Sequence, residues 1–244
     1  MSKKIKNFIY SNFFRPRWYS ILFNPYFIAR LGLYKKIKKY ANKDFGGKSI
    51  LDVGCGIKPY TFLFKNNKEY IGIDIKSGGH FEKEKEPDLY FDGINIPFES
   101  QRFDLVICTQ VLEHAEYPEK LLNEINRVLK NTGEIFITIP FVWNEHEIPY
   151  DFRRLTRYGL DRLLISSGFK IQELEETSGF FGTIGQLISA FIFETIGRNL
   201  ILKSIFAFIL CFPIQFSFLV LNTIFRSHWL TLDYVVVAKK HESN

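Results

Sequence analysis

The residues with the most chemical content lie in ILDVGCGIKPY, residues 50–60. A short apolar run delivers Asp52 and then Gly54-Cys55-Gly56, where two glycines let the backbone pass close to a ligand with no Cβ in the way. About twenty residues on, a second apolar run ends in Asp74, where an acid can accept hydrogen bonds from both hydroxyls of a nucleoside ribose. The third glycine of a dinucleotide fingerprint is replaced by Pro59, which disfavours NAD or FAD, and no phosphate-binding GxxxxGK[ST] is present. Two histidines, His114 and His146, each follow an apolar run, and Asp151 and Arg154 stand close behind the second. These are candidates for taking a proton or holding an acceptor. Bland readings stay open beside each: a tight strand-to-helix turn for the glycines, a surface salt bridge for Asp151 and Arg154, and small core residues for Cys55 and Cys108.

The elements that must position these residues can be read from periodicity. SILDVG (49–54), YIGIDI (70–75), FDLVICT (103–109) and EIFITIP (134–140) are short, almost continuously apolar, and stopped by Gly, Asp or Pro, as in strands buried on both faces of a parallel sheet. PEKLLNEINRVLKNTG predicts a helix from Pro118 to a stop at Gly133, with Leu121, Leu122, Ile125, Val128 and Leu129 inward. Thr156 predicts the cap of a helix bearing Leu160, Leu163 and Leu164. FKIQELEE and LDYVVVAKK read as later strands. Alternating strands and helices define an α/β doubly wound, Rossmann-like fold, which binds ligands at the carboxyl ends of its strands.

Taken in order, these motifs resemble a class I S-adenosylmethionine (SAM) dependent methyltransferase of the small-molecule, methyltransferase type 11-like kind, over about residues 47–140 with a looser match to 175 and in the last strand. The resemblance implies a mostly parallel sheet of about seven strands with an antiparallel last strand. It implies SAM as cofactor, held by Asp52, Gly54, Cys55, Gly56, Asp74, Ile75, Asp92, Gly93 and Gln110. Asp92 would meet the adenine amino group, and Ile96-Pro97-Phe98 matches the triplet that follows it. FDLVICTQVLEH resembles the fourth strand and the loop beside the methionine moiety. Lys58 departs from the pattern, since many members have glycine there. NEHEIPYDFRRLT resembles a polar stretch that covers the active-site mouth in some members, and implies catalytic roles for His146, His114, Asp151 and Arg154. Arg153 and Arg154 are also candidates to hold an acidic group of the acceptor.

Outside this region the chain is lopsided. Residues 1–48 hold twelve Lys or Arg and one acid, so they carry +11 against a total of +6, and the remainder is mildly acidic. Aromatic residues interleave with these cations, at Trp18, Tyr19, Tyr26 and Tyr34, as in an interfacial anchor. Residues 204–225 carry no charge over a membrane-length run, which Pro213 is expected to break into two halves, each too short to span. The expected organisation is a basic arm at 1–46 and a methyltransferase domain at 47–240 with an apolar helical insertion at 181–227.

Together these features predict an enzyme on the cytoplasmic face of a membrane that methylates a lipid-linked or amphipathic small molecule, with oxygen as the first expected target. The rivals are a soluble enzyme whose insertion makes a homodimer, a non-catalytic SAM-binding scaffold, and an RNA methyltransferase using its arm. Nucleic acid is disfavoured, because RNA has no use for the second apolar zone and Thr109-Gln110-Val111-Leu112 replaces the tetrapeptide of exocyclic-nitrogen methylation. Three scattered cysteines give neither a disulfide framework nor a zinc site.

Overall fold

Each short apolar run finds a parallel neighbour that covers its backbone groups. In the computed structural model, which describes residues 10–76, 85–196 and 200–241, the strands are β1 (Ser49–Val53), β2 (Glu69–Ile75), β3 (Leu89–Phe91), β4 (Phe103–Thr109), β5 (Leu129–Pro140), β6 (Phe169–Glu176) and β7 (Asp233–Lys240). Among the described residues they form one sheet in the order β3-β2-β1-β4-β5-β7-β6. β1 is central, with Asp52 opposite Gly72 of β2 and Ile107 of β4, and every pair from β3 to β5 is parallel. β6 and β7 run antiparallel: Thr177 N–H donates to Asp233 O at one end of the pair and His241 N–H to Gly168 O at the other.

The helices are α1 (Phe27–Ala41), α2 (Pro118–Val128), α3 (Arg157–Ser166), α4 (Phe180–Thr195), α5 (Leu200–Phe206) and α6 (Phe212–Ile224). α2 buries Leu121, Leu122, Ile125 and Val128 with the sheet residues Leu51, Val53, Val106 and Ile135. Thr156 caps α3 by accepting from Gly159 N–H at 3.1 Å.

Two sequence expectations fail, each for a packing reason. α2 does not run to Gly133: Leu129 turns extended (ψ 139°), is fully buried, and pairs with Phe103 to begin β5. Burying that leucine in the sheet outweighs one more helical turn, and a register irregularity between Phe103 and Leu105 absorbs the residues around Gly133. Nor does Pro213 break the apolar run. A π-helical turn at Ala207–Cys211 precedes it, and Leu202–Ile224 continues as one helix. Widening the turn accommodates the missing N–H and the ring. The helical pair that does form is α4 against α6, where Gly185 has so little room that a Cβ would lie 2.4 Å from Phe218 Cβ.

The chain divides into two compact units, one made of residues up to Lys39 with Glu176–Asp233, the other of Tyr40–Glu175 with residues from Tyr234 onward. The basic arm therefore clusters with the apolar helices. Two buried glutamines show how: Gln186 of α4 accepts from Ala29 N–H (3.0 Å) and donates to Pro25 O (2.9 Å), while Gln215 of α6 accepts from Ile28 N–H (3.3 Å) and donates to Asn24 O (3.0 Å). They satisfy first-turn N–H groups of α1 that no helix can satisfy internally.

Candidate functional site

Because β1 to β5 are parallel, their carboxyl ends share one edge of the sheet, and the loops leaving that edge carry nearly all the predicted residues. The turn after β1 depends on its glycines. Gly54 has φ +67° and a Cβ there would lie 2.3 Å from Val111 Cγ2, whereas at Gly56, φ +53°, a Cβ would meet nothing within 4 Å. The loop is tight on its protein side and open on the other, which is the shape a ligand-cradling turn needs. Lys58, at the position where glycine was expected, keeps the left-handed backbone with φ 51° and pairs with Asp88 at 2.7 Å.

Asp74 anchors this turn. Its Oδ2 accepts from Gly56 N–H at 2.7 Å, and its Oδ1 lies 2.7 Å from the ammonium of Lys85, which is itself 6% exposed. Asp52 lies behind the turn, buried, accepting from the Tyr70 hydroxyl at 2.6 Å. Burial pushes its carboxyl up to about 7, against the pull of that hydrogen bond. Cys55 and Cys108 are buried free thiols with pKa values pushed up by desolvation, so neither is a nucleophile. Ile75 closes β2, and Gly93 sits near it at φ +88°. Asp92 uses its carboxylate to form its own turn, accepting from Ile94 N–H (2.8 Å), Asn95 N–H (2.6 Å) and Asn95 Nδ2 (2.6 Å). Gln110, also left-handed at φ 56°, reaches Thr138 of β5 through backbone and side chain. Tyr70 and Lys85 were missed: the first looked like an ordinary strand residue, and nothing in the sequence marks the second.

The second cluster joins the loops after β4 and β5. His114 Nε2 and His146 Nε2 lie 3.1 Å apart. Asp151 accepts from His146 N–H (3.0 Å) and takes both Nη atoms of Arg154 at 2.6 and 2.7 Å. Burial alone would raise the Asp151 carboxyl, but these bonds hold it down at about 2. Burial, helped by the neighbouring His114, lowers the His146 pKa. All four predicted catalytic residues therefore meet, and Arg154 acts mainly as the clamp on Asp151. Arg153 is committed to the loop itself, donating to the carbonyls of Leu112, Ala115 and Glu116. Glu113, fully buried beside His114, and Glu147 were missed, although both sit next to a predicted histidine in the sequence.

The sheet order, the glycine turn and the acid closing β2 define a Rossmann-like nucleoside-cofactor domain. Residues 51–137 match the methyltransferase domain family, and this segment resembles the class I SAM-dependent methyltransferases. Over 105 residues it is 40% identical to an uncharacterized protein of Methanocaldococcus jannaschii, covering 42% of this chain and 44% of that one. Over 115 residues it is 30% identical to a tRNA U34 carboxymethyltransferase of Campylobacter hominis, covering 43% and 40%. The chain thus spans under half the length of these relatives. A SAM-dependent methyltransferase from Mesorhizobium loti shares the fold at TM-score 0.55 and 15% identity, over 87% of this chain and all of the other. The open side of the Gly54–Gly56 turn, with Asp74 beside it, fits the SAM of this family.

Proposed function

We propose that this chain methylates an oxygen of a lipid-linked or amphipathic small molecule while lying on the anionic, cytoplasmic face of a membrane. The observation that supports the location best is the outward face of the helical unit. Only 17% of the most apolar window of Leu202–Ile224 is buried, and Phe208, Ile209, Phe216 and Ile224 stand exposed, with Phe191 on α4 and Trp18 in the arm. A lipid surface covers such a face, and the +11 of residues 1–48 supplies the attraction to anionic headgroups.

SAM brings both the methyl group and its own leaving group. The chain's residues have the remaining tasks. The Gly54–Gly56 turn and Asp74 hold the nucleoside end, and the 114/146/151/154 cluster holds the polar end of the acceptor and handles its proton. Arg154 and Asp151 lock the loop that presents His146.

Flotation with liposomes tests the location. Truncating the arm would remove residues that Gln186 and Gln215 hold, so the variant of choice changes Lys35, Lys36, Lys38 and Lys39 to Gln. The wild type is expected to float with anionic vesicles, less so in high salt, and the variant to float weakly; a protein that stays at the bottom in every condition ends the membrane reading. Incubating labelled SAM with a native membrane extract tests the chemistry. A labelled lipid-phase product supports the proposal, labelled RNA redirects it toward the chemistry of the tRNA-modifying relative, and no label at all points to a scaffold.

A further inference from the structure

We infer that the two histidines form a divalent-cation site, with their Nε2 atoms and the carboxylate of Glu113 as ligands. The hydrogen bonds on the far side of each ring lead to this. His114 Nδ1 lies 2.9 Å from the backbone carbonyl of Tyr150, which can only accept. His146 Nδ1 lies 3.1 Å from Asp151 Oδ2 and 3.3 Å from Asn144 O, again acceptors, and 3.5 Å from Arg154 Nη2, whose shorter bonds go to Asp151 (2.7 Å) and Asn144 (3.0 Å). With acceptors nearest to each Nδ1, the two rings are held so that their Nε2 atoms face each other at 3.1 Å. Two ring nitrogens that face each other, with the Glu113 carboxylate 3.8 Å from one of them, form the donor set of a cation site.

The surroundings fit an ion. At the ordinary metal-to-imidazole length of about 2.1 Å, a 3.1 Å separation of the two nitrogens corresponds to an angle of about 95° at the metal, within the range of common coordination geometries. One ligand atom from each of Glu113, His114 and His146 lies within 4.8 Å of the others, so a modest inward movement completes the set. Glu113 Oε1 is 3.8 Å from His114 Nε2, and Glu147 Oε2 is 3.9 Å from it, a fourth donor at the edge. Orientation of each ligating ring by a carbonyl or carboxylate on its other nitrogen is the usual support of a histidine metal site, and here both rings have it. Two imidazoles with carboxylate oxygen select a borderline transition ion such as Zn²⁺, Mn²⁺, Fe²⁺ or Co²⁺ over Mg²⁺ or Ca²⁺. The cysteine pattern, read for zinc in the sequence, gives no hint of such a site.

The inference rests on the proposed function only in what the ion is for: beside the acceptor it is a Lewis acid on the acceptor oxygen. Binding itself is tested apart from activity. The full chain, stripped with chelator and dialysed, is titrated with Co²⁺ while visible absorption is followed, and metal is counted by mass spectrometry after gel filtration. The expected result is about one ion per chain, with affinity falling at least tenfold in His146→Gln and again in Glu113→Gln. SAM affinity by calorimetry and the thermal melt report whether each variant is folded. If a variant melts early, His114→Gln takes its place. No stoichiometric binding by the wild type, or equal binding by folded variants, overturns the site and leaves a shared proton between the rings. Metal binding with no labelled product in the membrane extract would leave the site standing and remove the proposed activity. Methyl transfer by a chain shown to be metal-free would leave the activity standing and remove the Lewis-acid role of the ion.

Discussion

The sheet edge and the helical unit treat polarity in opposite ways. At the edge, apolar side chains such as Val53, Ile73 and Ile137 are fully buried and the polar groups gather on the loops. In the helical unit the buried residues include Thr183, Gln186, Ser189 and Gln215, while Phe191, Phe208 and Phe216 face out, Phe191 at 70% exposure. Both stretches read as apolar in the sequence. The first covers itself, because parallel strands and α2 bury both faces; the second uses its few polar residues to hold the arm and leaves its apolar surface for something else.

Changes that force the cradle apart give the largest effects, and they should be confined to the unit that holds Tyr40–Glu175. Gly54→Ala places a Cβ against Val111 and imposes a left-handed backbone on a residue that resists it. SAM affinity measured by calorimetry is expected to fall about a hundredfold, the sum of overpacking and strain at a few kcal/mol. Unchanged affinity would mean that the turn does not touch the cofactor.

The converse change belongs to the helical unit. Gln186→Leu looks conservative in an apolar helix, yet it leaves Ala29 N–H and Pro25 O without their buried partner. The cost is about 1–3 kcal/mol. Hydrogen exchange of residues 27–30 should accelerate while SAM affinity stays as in the wild type. If exchange is untouched, the glutamines do not fasten the arm and the two-unit contrast loses its main support.

A smaller effect separates the units by pH. Asp52 is raised from 3.8 to about 7 by burial. Between those values the folded chain keeps a proton that the unfolded chain has released, so stability falls as pH rises through that window. Asp52→Asn should flatten the fall, by up to about 1 kcal/mol per pH unit, in melts of wild type and variant compared from pH 4 to 7. Parallel curves would show that Asp52 titrates normally.

Legibility followed the same division. The four core strands, the Thr156 cap and the polar cluster could be read because periodicity, turn residues and motif order act over a few neighbouring positions. The end of α2 could not, since Leu129 chose the sheet for a contact with Phe103 that no local pattern announces. Pro213 misled for a related reason: its usual cost was met by a π turn. Gln186 and Gln215 were plain in the sequence as polar residues in apolar helices, but their partners lie 161 and 191 residues away.

Lys85 gives the smallest and sharpest test of the cradle. Its ammonium lies 2.7 Å from the Asp74 oxygen not used by Gly56, and both side chains are almost fully covered, at 6% and 7% exposure. A ribose hydroxyl seeking that oxygen must share or displace the lysine. Lys85→Met keeps the apolar stem and removes the competing donor, so SAM should bind a few-fold more tightly, by roughly 0.5–1 kcal/mol, the scale of one ordinary hydrogen bond. Weaker binding in Lys85→Met would reverse the assignment and make the lysine a cofactor contact in its own right. Asp74→Ala separates the remaining case, because affinity unchanged by both substitutions would take this end of β2 out of the site altogether.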